Sequence, residues 1–161
     1  MKKFLIDYTT FLSGSKSLAS TLGKVDLVLA LPRGGLSFAH ILSLSCGCGC
    51  KMIDLESTNT ELRKYIEKAV TGCTHVVIAD DSIGTGVTFS RIKQLMDVMP
   101  VTWEYAVFYV DGSFKIEDNR IRCVMQTNQW VVLPYEEAEL IEVGDQSSLF
   151  RNGNDPYQRR N

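Results

Sequence analysis

The sequence contains no long apolar run. Its longest uncharged aliphatic stretches, such as Leu27 to Leu31 and Trp130 to Leu133, fall far short of the roughly 18–20 residues a bilayer-spanning helix needs, which excludes such a helix. The opening Met1-Lys2-Lys3-Phe4-Leu5-Ile6 is basic and then apolar, but Asp7 closes it too early for a secretory signal, so a cytoplasmic protein is expected. An excess of positive charge is missing as well. Seventeen Lys and Arg stand against 19 Asp and Glu, a net charge of −2, which leaves no global field to draw in nucleic acid. Histidine is scarce: His40 and His75 are the only two, no nucleophile pair stands out, and both read as packing or hydrogen-bonded residues. The five cysteines are odd in number and lack a secretory context, so they are expected to be reduced. In Cys46-Gly47-Cys48-Gly49-Cys50 an extended chain would put all the thiols on one face, yet a zinc site normally needs a second ligand pair. Small apolar thiols at a glycine-bent helix-to-strand turn are the simpler reading.

What is present is the composition of a globular domain: 161 residues, 45% hydrophobic, 9% aromatic and 22% charged, enough for one well-buried core. No repeat or composition shift marks a second domain. Residues 1–150 read as a single domain, and 151–161, with Asn, Gly, Pro, Gln and Arg and almost no apolar content, as a disordered tail.

Along the chain, strand and helix signals alternate. Phe11, Leu12, Leu18, Ala19 and Leu22 fall near a 3.6-residue period and Gly23 follows, predicting a helix from Tyr8 to Leu22. Val25 to Leu31 is aliphatic throughout except for Asp26 and reads as a strand buried on both faces. A helix from Leu36 to Leu44 and a strand from Lys51 to Leu55 should follow. Thr58 and Glu61 have capping-box spacing ahead of the stripe Leu62, Tyr65, Ile66, Ala69 and Val70, which closes at Gly72. Val76 to Ala79 is a second buried strand that ends in Asp80-Asp81, and Phe89, Ile92, Leu95 and Met96 mark the next helix, stopped by Pro100. Trp103 to Val110, Arg120 to Met125 and Trp130 to Leu133 read as strands, and Glu136 to Val143 as a last helix. Repeated strand, loop and helix units imply an α/β fold: a central parallel sheet flanked by helices, with ligands beyond the carboxyl ends of the strands.

Two loops stand at such ends. In Ile83-Gly84-Thr85-Gly86-Val87-Thr88 there is no Walker Lys and no G-x-G-x-x-G, but two glycines permit a tight turn and the amides at the next helix start can converge on a phosphate. The acid pair just upstream would repel that phosphate unless it serves another part of the same ligand, sugar hydroxyls or a magnesium ion. A monophosphate, a ribose diol and a metal-bound pyrophosphate on one molecule satisfy both halves, and phosphoribosyl pyrophosphate is such a molecule.

Val76 to Thr88 resembles the signature of the type I phosphoribosyltransferases: an aliphatic strand, two acids, three variable residues, then Thr-Gly-x-Thr. Pro32-Arg33-Gly34-Gly35-Leu36 resembles that family's pyrophosphate loop. Trp130-Val131-Val132-Leu133-Pro134-Tyr135-Glu136 is similar to a segment of its xanthine-guanine and hypoxanthine branch, which serves purine salvage and in which the Trp stacks on the purine.

The resemblance implies the family's parallel sheet with a small C-terminal hood, phosphoribosyl pyrophosphate and a nucleobase as ligands, Mg2+ as cofactor and a homo-oligomer; the charge balance and the short apolar runs give the expectation of no nucleic-acid or membrane partner. It implies that Arg33 and the Gly34 amide hold pyrophosphate, that Asp80 and Asp81 hold the ribose hydroxyls with Asp81 nearer the metal, and that Ile83, Gly84, Thr85, Gly86, Val87 and Thr88 surround the 5′-phosphate. Arg33, Asp80 and Asp81 are the expected catalytic residues, and Trp130, Val131 and Asp111 the expected base contacts. Arg63 or Lys64 could reach the pyrophosphate. Two departures weigh against ordinary purine transfer: Gly84 stands where purine enzymes place an Asp near the base, and Asp111 lies where 6-oxopurine enzymes carry a Lys. The alternative is a catalytically weak or inactive regulator that binds phosphoribosyl pyrophosphate or a nucleotide.

Overall fold

The computed structural model describes residues 3–136. The elements run in the order β1 (Lys3–Leu5), α1 (Tyr8–Ala19), β2 (Leu27–Ala30), α2 (Gly35–Cys46), β3 (Gly49–Met52), α3 (Asn59–Ala69), β4 (His75–Ile83), α4 (Val87–Met96), β5 (Thr102–Asp111), β6 (Ile121–Thr127), β7 (Trp130–Val132) and a 3-10 turn at Pro134–Glu136. Five strands form a parallel sheet in the order β3-β2-β4-β5-β6. Both faces are covered, as all-parallel strands require. α3 and α4 pack Leu62, Ile66, Phe89, Ile92 and Met96 against Leu29, Ile78 and Tyr105 on one face. α1 and α2 pack Phe11, Leu18, Phe38 and Leu42 against Val28, Val77 and Phe108 on the other. Among the described residues no helix is long and apolar enough to cross a membrane.

Helix starts follow local chemistry. Asp7 accepts from the Thr10 amide at 2.7 Å to cap α1, and Thr58 and Glu61 form the reciprocal capping box of α3. Tyr65, placed in the apolar stripe by its spacing, stands on the exposed side of α3. Helix α1 stops at Ala19, short of Leu22, because Ser20 caps it and the Thr21 amide bonds only three residues back.

Other boundaries also differ from the sequence expectation. Gly47 takes a left-handed conformation at φ 67 directly after α2, so β3 begins at Gly49, paired with Leu27, and not at Lys51. β4 does not end at Ala79: its ladder with β5 continues through Asp80 opposite Val107 and Ser82 opposite Tyr109 to Ile83 opposite Val110. β1 has no signal in its own three exposed residues and exists through parallel pairing with β7, so the small hood is built from both ends of the described chain. The helix expected from Glu136 to Val143 lies outside the described residues except for Glu136, as does the tail at 151–161.

The connections place the site. The chain leaves β2 through α2 toward the sheet edge, then returns through α3 to the other side of β2 at β4. The order reverses between β2 and β4, and a crevice opens at the carboxyl ends of adjacent strands at such a reversal.

Candidate functional site

The loop after β2 and the end of β4 meet in that crevice. Arg33 is the one non-glycine among the described residues with positive φ, at 65°, a conformation that side chains adopt at a cost of order 1–3 kcal/mol and that gathers at ligand sites. The loop presses directly on β4. A Cβ on Gly34 would lie 1.7 Å from Oδ2 of Asp81, and one on Gly35 would lie 2.7 Å from the Ala79 carbonyl oxygen. Only glycines let α2 begin this close to the acid pair.

After β4, Gly86 takes φ 79 and a Cβ there would also strike the Phe114 ring at 2.4 Å. Val87 opens α4 with no positive φ, so its side chain is accommodated and stands exposed. Residues 82 to 89 enclose a hollow of 60 Å³ at the start of α4, where backbone amides and the helix dipole favour an anion. Gly84 differs from the other glycines of the site: a Cβ would meet nothing within 4 Å.

A larger cavity of 730 Å³ joins these parts: it is lined by Arg33 and Gly34, by a floor of Asp80, Asp81 and Ser82, by Gly84, Thr85 and Thr88, and by Leu55, Tyr135 and Glu136. The floor is electrostatically uneven. Burial first and the neighbouring Asp81 second push Asp80 from 3.8 up to about 7, against a hydrogen bond from Tyr105 that favours the ionised form. That bond, 2.7 Å from the Tyr105 hydroxyl to Oδ2, and one of 2.9 Å from the Asp81 amide to Oδ1 fix the Asp80 carboxyl. Asp81 accepts from Ser82 Oγ at 3.3 Å. Such a pair is stabilised by whatever brings positive charge or hydroxyl donors. Among the described residues no group of three His, Cys, Asp or Glu could hold a metal ion by itself. Asp80 and Asp81 offer adjacent carboxylates that could share a hard cation with water and a bound ligand.

The expected base contacts are not brought to this cavity. Trp130 is 56% exposed at the start of β7, in register with Lys3, and Val131, the next residue of β7, is buried in the core with Phe11 and Phe108. Asp111 turns its carboxylate into the β5–β6 connection, where hydrogen bonds from the Ser113 hydroxyl and amide hold it below the usual carboxylate range. The aromatic ring at the cavity is Tyr135, packed edge-on against Phe11 at 5.8 Å. Glu136 beside it accepts from the Leu133 amide at 2.8 Å. Arg63 is tied to Glu67 at 3.0 Å, and neither it nor Lys64 lines the cavity.

Sequence reasoning missed Tyr105, Tyr135 and Leu55. Tyr135 carried a signal, since it lies within the segment Trp130 to Glu136, whereas Tyr105 reaches Asp80 only through the pairing of β4 with β5. His75 lies between Thr102 and Glu104, and His40 in a separate 280 Å³ pocket. Cys46 ends α2 and Cys50 is exposed on β3.

No protein-family model matches the chain. Solved structures do. A hypothetical protein from Neisseria gonorrhoeae with bound ppGpp superposes with a TM-score of 0.69 at 17% identity, covering 89% of this chain and 97% of that one. The purine phosphoribosyltransferase of Pyrococcus horikoshii OT3 gives 0.64 at 21% identity, over 84% and 95%. The Helicobacter pylori xanthine-guanine-hypoxanthine phosphoribosyltransferase gives 0.62 at 16% identity, over 88% and 99%. The chain has the type I phosphoribosyltransferase fold.

Proposed function

We propose that the cavity binds phosphoribosyl pyrophosphate with magnesium and that the protein transfers the phosphoribosyl group to a nucleobase, a purine by the likeness of its neighbours, with release of pyrophosphate. One observation carries this reading: the Arg33–Gly34 loop, the Asp80–Asp81 pair and the loop from Gly84 to Thr88 line one cavity. An anion grip, two carboxylates and a second anion grip match, in order, a diphosphate, a ribose diol and a 5′-phosphate. The Arg33 fork suits the leaving pyrophosphate, for which charge-assisted contacts are the strong ones. Asp80 and Asp81 accept from the ribose hydroxyls and would hold magnesium, which supplies charge neutralisation at the leaving group when bound. The amides and hydroxyls at Thr85 to Thr88 anchor the 5′-phosphate. In the reaction a base nitrogen forms a bond to the anomeric carbon as the bond from that carbon to the pyrophosphate oxygen breaks, the bonding pair leaves with pyrophosphate, and the proton that the nitrogen carried passes to solvent water. The protein's part is to orient the two reactants and to stabilise charge.

A second reading has its own support. Gly84 leaves open the space where a general acid or base would stand, and the Neisseria neighbour holds a purine nucleotide that carries diphosphates. A nucleotide-binding regulator of the same fold would need the two anion grips without fast transfer. Incubation with magnesium, phosphoribosyl pyrophosphate and a panel of bases separates the readings. Nucleotide and pyrophosphate in equal amounts support transfer, whereas tight nucleotide binding with no product supports the regulator.

A further inference from the structure

We infer that Arg91 is a positioning residue of this site: it locks residues 54–58 onto α4 so that Leu55 stands as a fixed wall of the cavity. The inference rests on the reading of the cavity given above. Arg91 lies on α4 three residues after Thr88, so one helix turn carries Thr88 to the cavity and Arg91 to the segment between β3 and α3. Its guanidinium donates from Nη1 to the Leu55 carbonyl at 2.6 Å, from Nη2 to the Ser57 carbonyl at 2.7 Å and from Nε to Asn59 Oδ1 at 2.8 Å. These partners are more than 30 residues away in sequence. A planar fork of fixed donors meets three separate acceptors at once, which the single ammonium of a Lys cannot reproduce.

The segment also has internal ties. Asp54 accepts from the Glu56 amide at 3.0 Å and from Ser57 Oγ at 2.9 Å, and Thr58 closes the α3 capping box. These bonds shape the segment but none of them reaches α4. Leu55, with its own carbonyl held by Arg91, packs on the α3–α4 side of the core and lines the cavity. Because α4 grows directly out of the phosphate loop, one side chain joins that loop and the Leu55 wall into a single unit. A site assembled before ligand arrives avoids the ordering cost of a loose wall.

A double-mutant cycle read by calorimetric titration of phosphoribosyl pyrophosphate with magnesium tests this. Arg91→Ala and Leu55→Ala should each weaken binding about tenfold, within the range seen for positioning networks. The double variant should bind no more weakly than the worse single, since both remove the same wall. Arg91→Lys, which keeps charge and stem but loses the fork, should resemble Arg91→Ala. Hydrogen exchange of the 54–58 amides should quicken in both Arg91 variants, with thermal midpoints near that of the wild type. Unchanged affinity in Arg91→Ala or Arg91→Lys, or fully additive losses, would overturn the inference while leaving the cavity reading intact. If the wild-type protein binds neither phosphoribosyl pyrophosphate nor inorganic pyrophosphate, the cavity reading fails and the inference falls with it.

Discussion

The Tyr105 hydroxyl donates a 2.7 Å hydrogen bond to Oδ2 of Asp80 from a side chain with no exposed surface. Burial, reinforced by Asp80 itself, holds that phenol far above its ordinary pKa, so it remains a donor at any working pH. The core thus delivers one fixed proton to the acid pair, enough to orient Asp80 but not to offset its burial beside Asp81. The floor of the cavity is therefore ionised reluctantly.

That imbalance gives a stability signature. The folded pKa of Asp80, about 7, lies above its ordinary 3.8, so the folded chain binds the proton more tightly than the unfolded chain. The associated stability is fully present below about pH 4 and is lost as pH rises toward about 7. Asp80→Asn removes the titration. In magnesium-free buffer the variant should melt about 3 °C or more above the wild type at about pH 8 and equal to it near pH 4. Melting curves across this range check it, and a variant less stable than the wild type at the alkaline end would contradict it.

Two glycines of the site should respond in opposite ways. Gly34→Ala places a methyl 1.7 Å from Asp81 Oδ2, which forces the carboxylate aside. The expected result is a loss of at least about tenfold in affinity for phosphoribosyl pyrophosphate and about 1–3 kcal/mol in stability from overpacking. Gly84→Ala meets open space and should change stability by no more than about 0.5 kcal/mol. Denaturant titrations and binding isotherms on the two variants settle the contrast.

The aromatic residue that matters for the base is predicted to be Tyr135. Tyr135→Leu keeps bulk against Phe11 and should weaken base or nucleotide binding by about 1–3 kcal/mol, the usual worth of a stacked base. Trp130→Ala, at a ring outside the cavity, should have less than half that effect. Competition binding with purines compares them, and the reverse order would return the base to Trp130.

Much of this architecture was legible because its signals are local. Val76 to Ala79 and Val25 to Leu31 are apolar enough to be read as buried strands without partners, and Thr58 with Glu61 announces a helix start within four residues. The glycine-bearing turn before α4 was legible for the same reason, whereas the positive φ of Arg33 is not announced by its residue type. What escaped depends on partners distant in sequence. β1 exists only through β7, the continuation of β4 past its acids depends on β5, Tyr105 reaches Asp80 across that ladder, and Arg91 meets a segment more than 30 residues away. Asp111 was expected as a base contact because it lies where the 6-oxopurine enzymes that the sequence resembles carry a Lys. Its carboxylate is taken up by the turn that follows, a local bond that Asp-x-Ser spacing permits but does not announce.

Gly84→Asp asks whether slow chemistry follows from the missing acid. A Cβ at this position meets nothing within 4 Å and the φ is not positive. General acid or base help is typically worth about 10²–10⁴ in rate, so nucleotide formation from phosphoribosyl pyrophosphate and a purine should rise at least about tenfold if transfer is the native reaction. Product release measured by chromatography decides it. An unchanged rate with intact ligand binding would favour the regulator.

The most direct test of the central claim is a calorimetric titration of the protein with phosphoribosyl pyrophosphate, with and without magnesium, repeated on Asp80→Asn and Arg33→Ala. One site per chain is expected, with tighter binding in the presence of magnesium. Asp80→Asn should lose the magnesium effect, and Arg33→Ala should weaken phosphoribosyl pyrophosphate by about 1.5–3 kcal/mol while sparing nucleoside monophosphates. Absence of binding at millimolar ligand with magnesium, or binding that neither substitution alters, would contradict it.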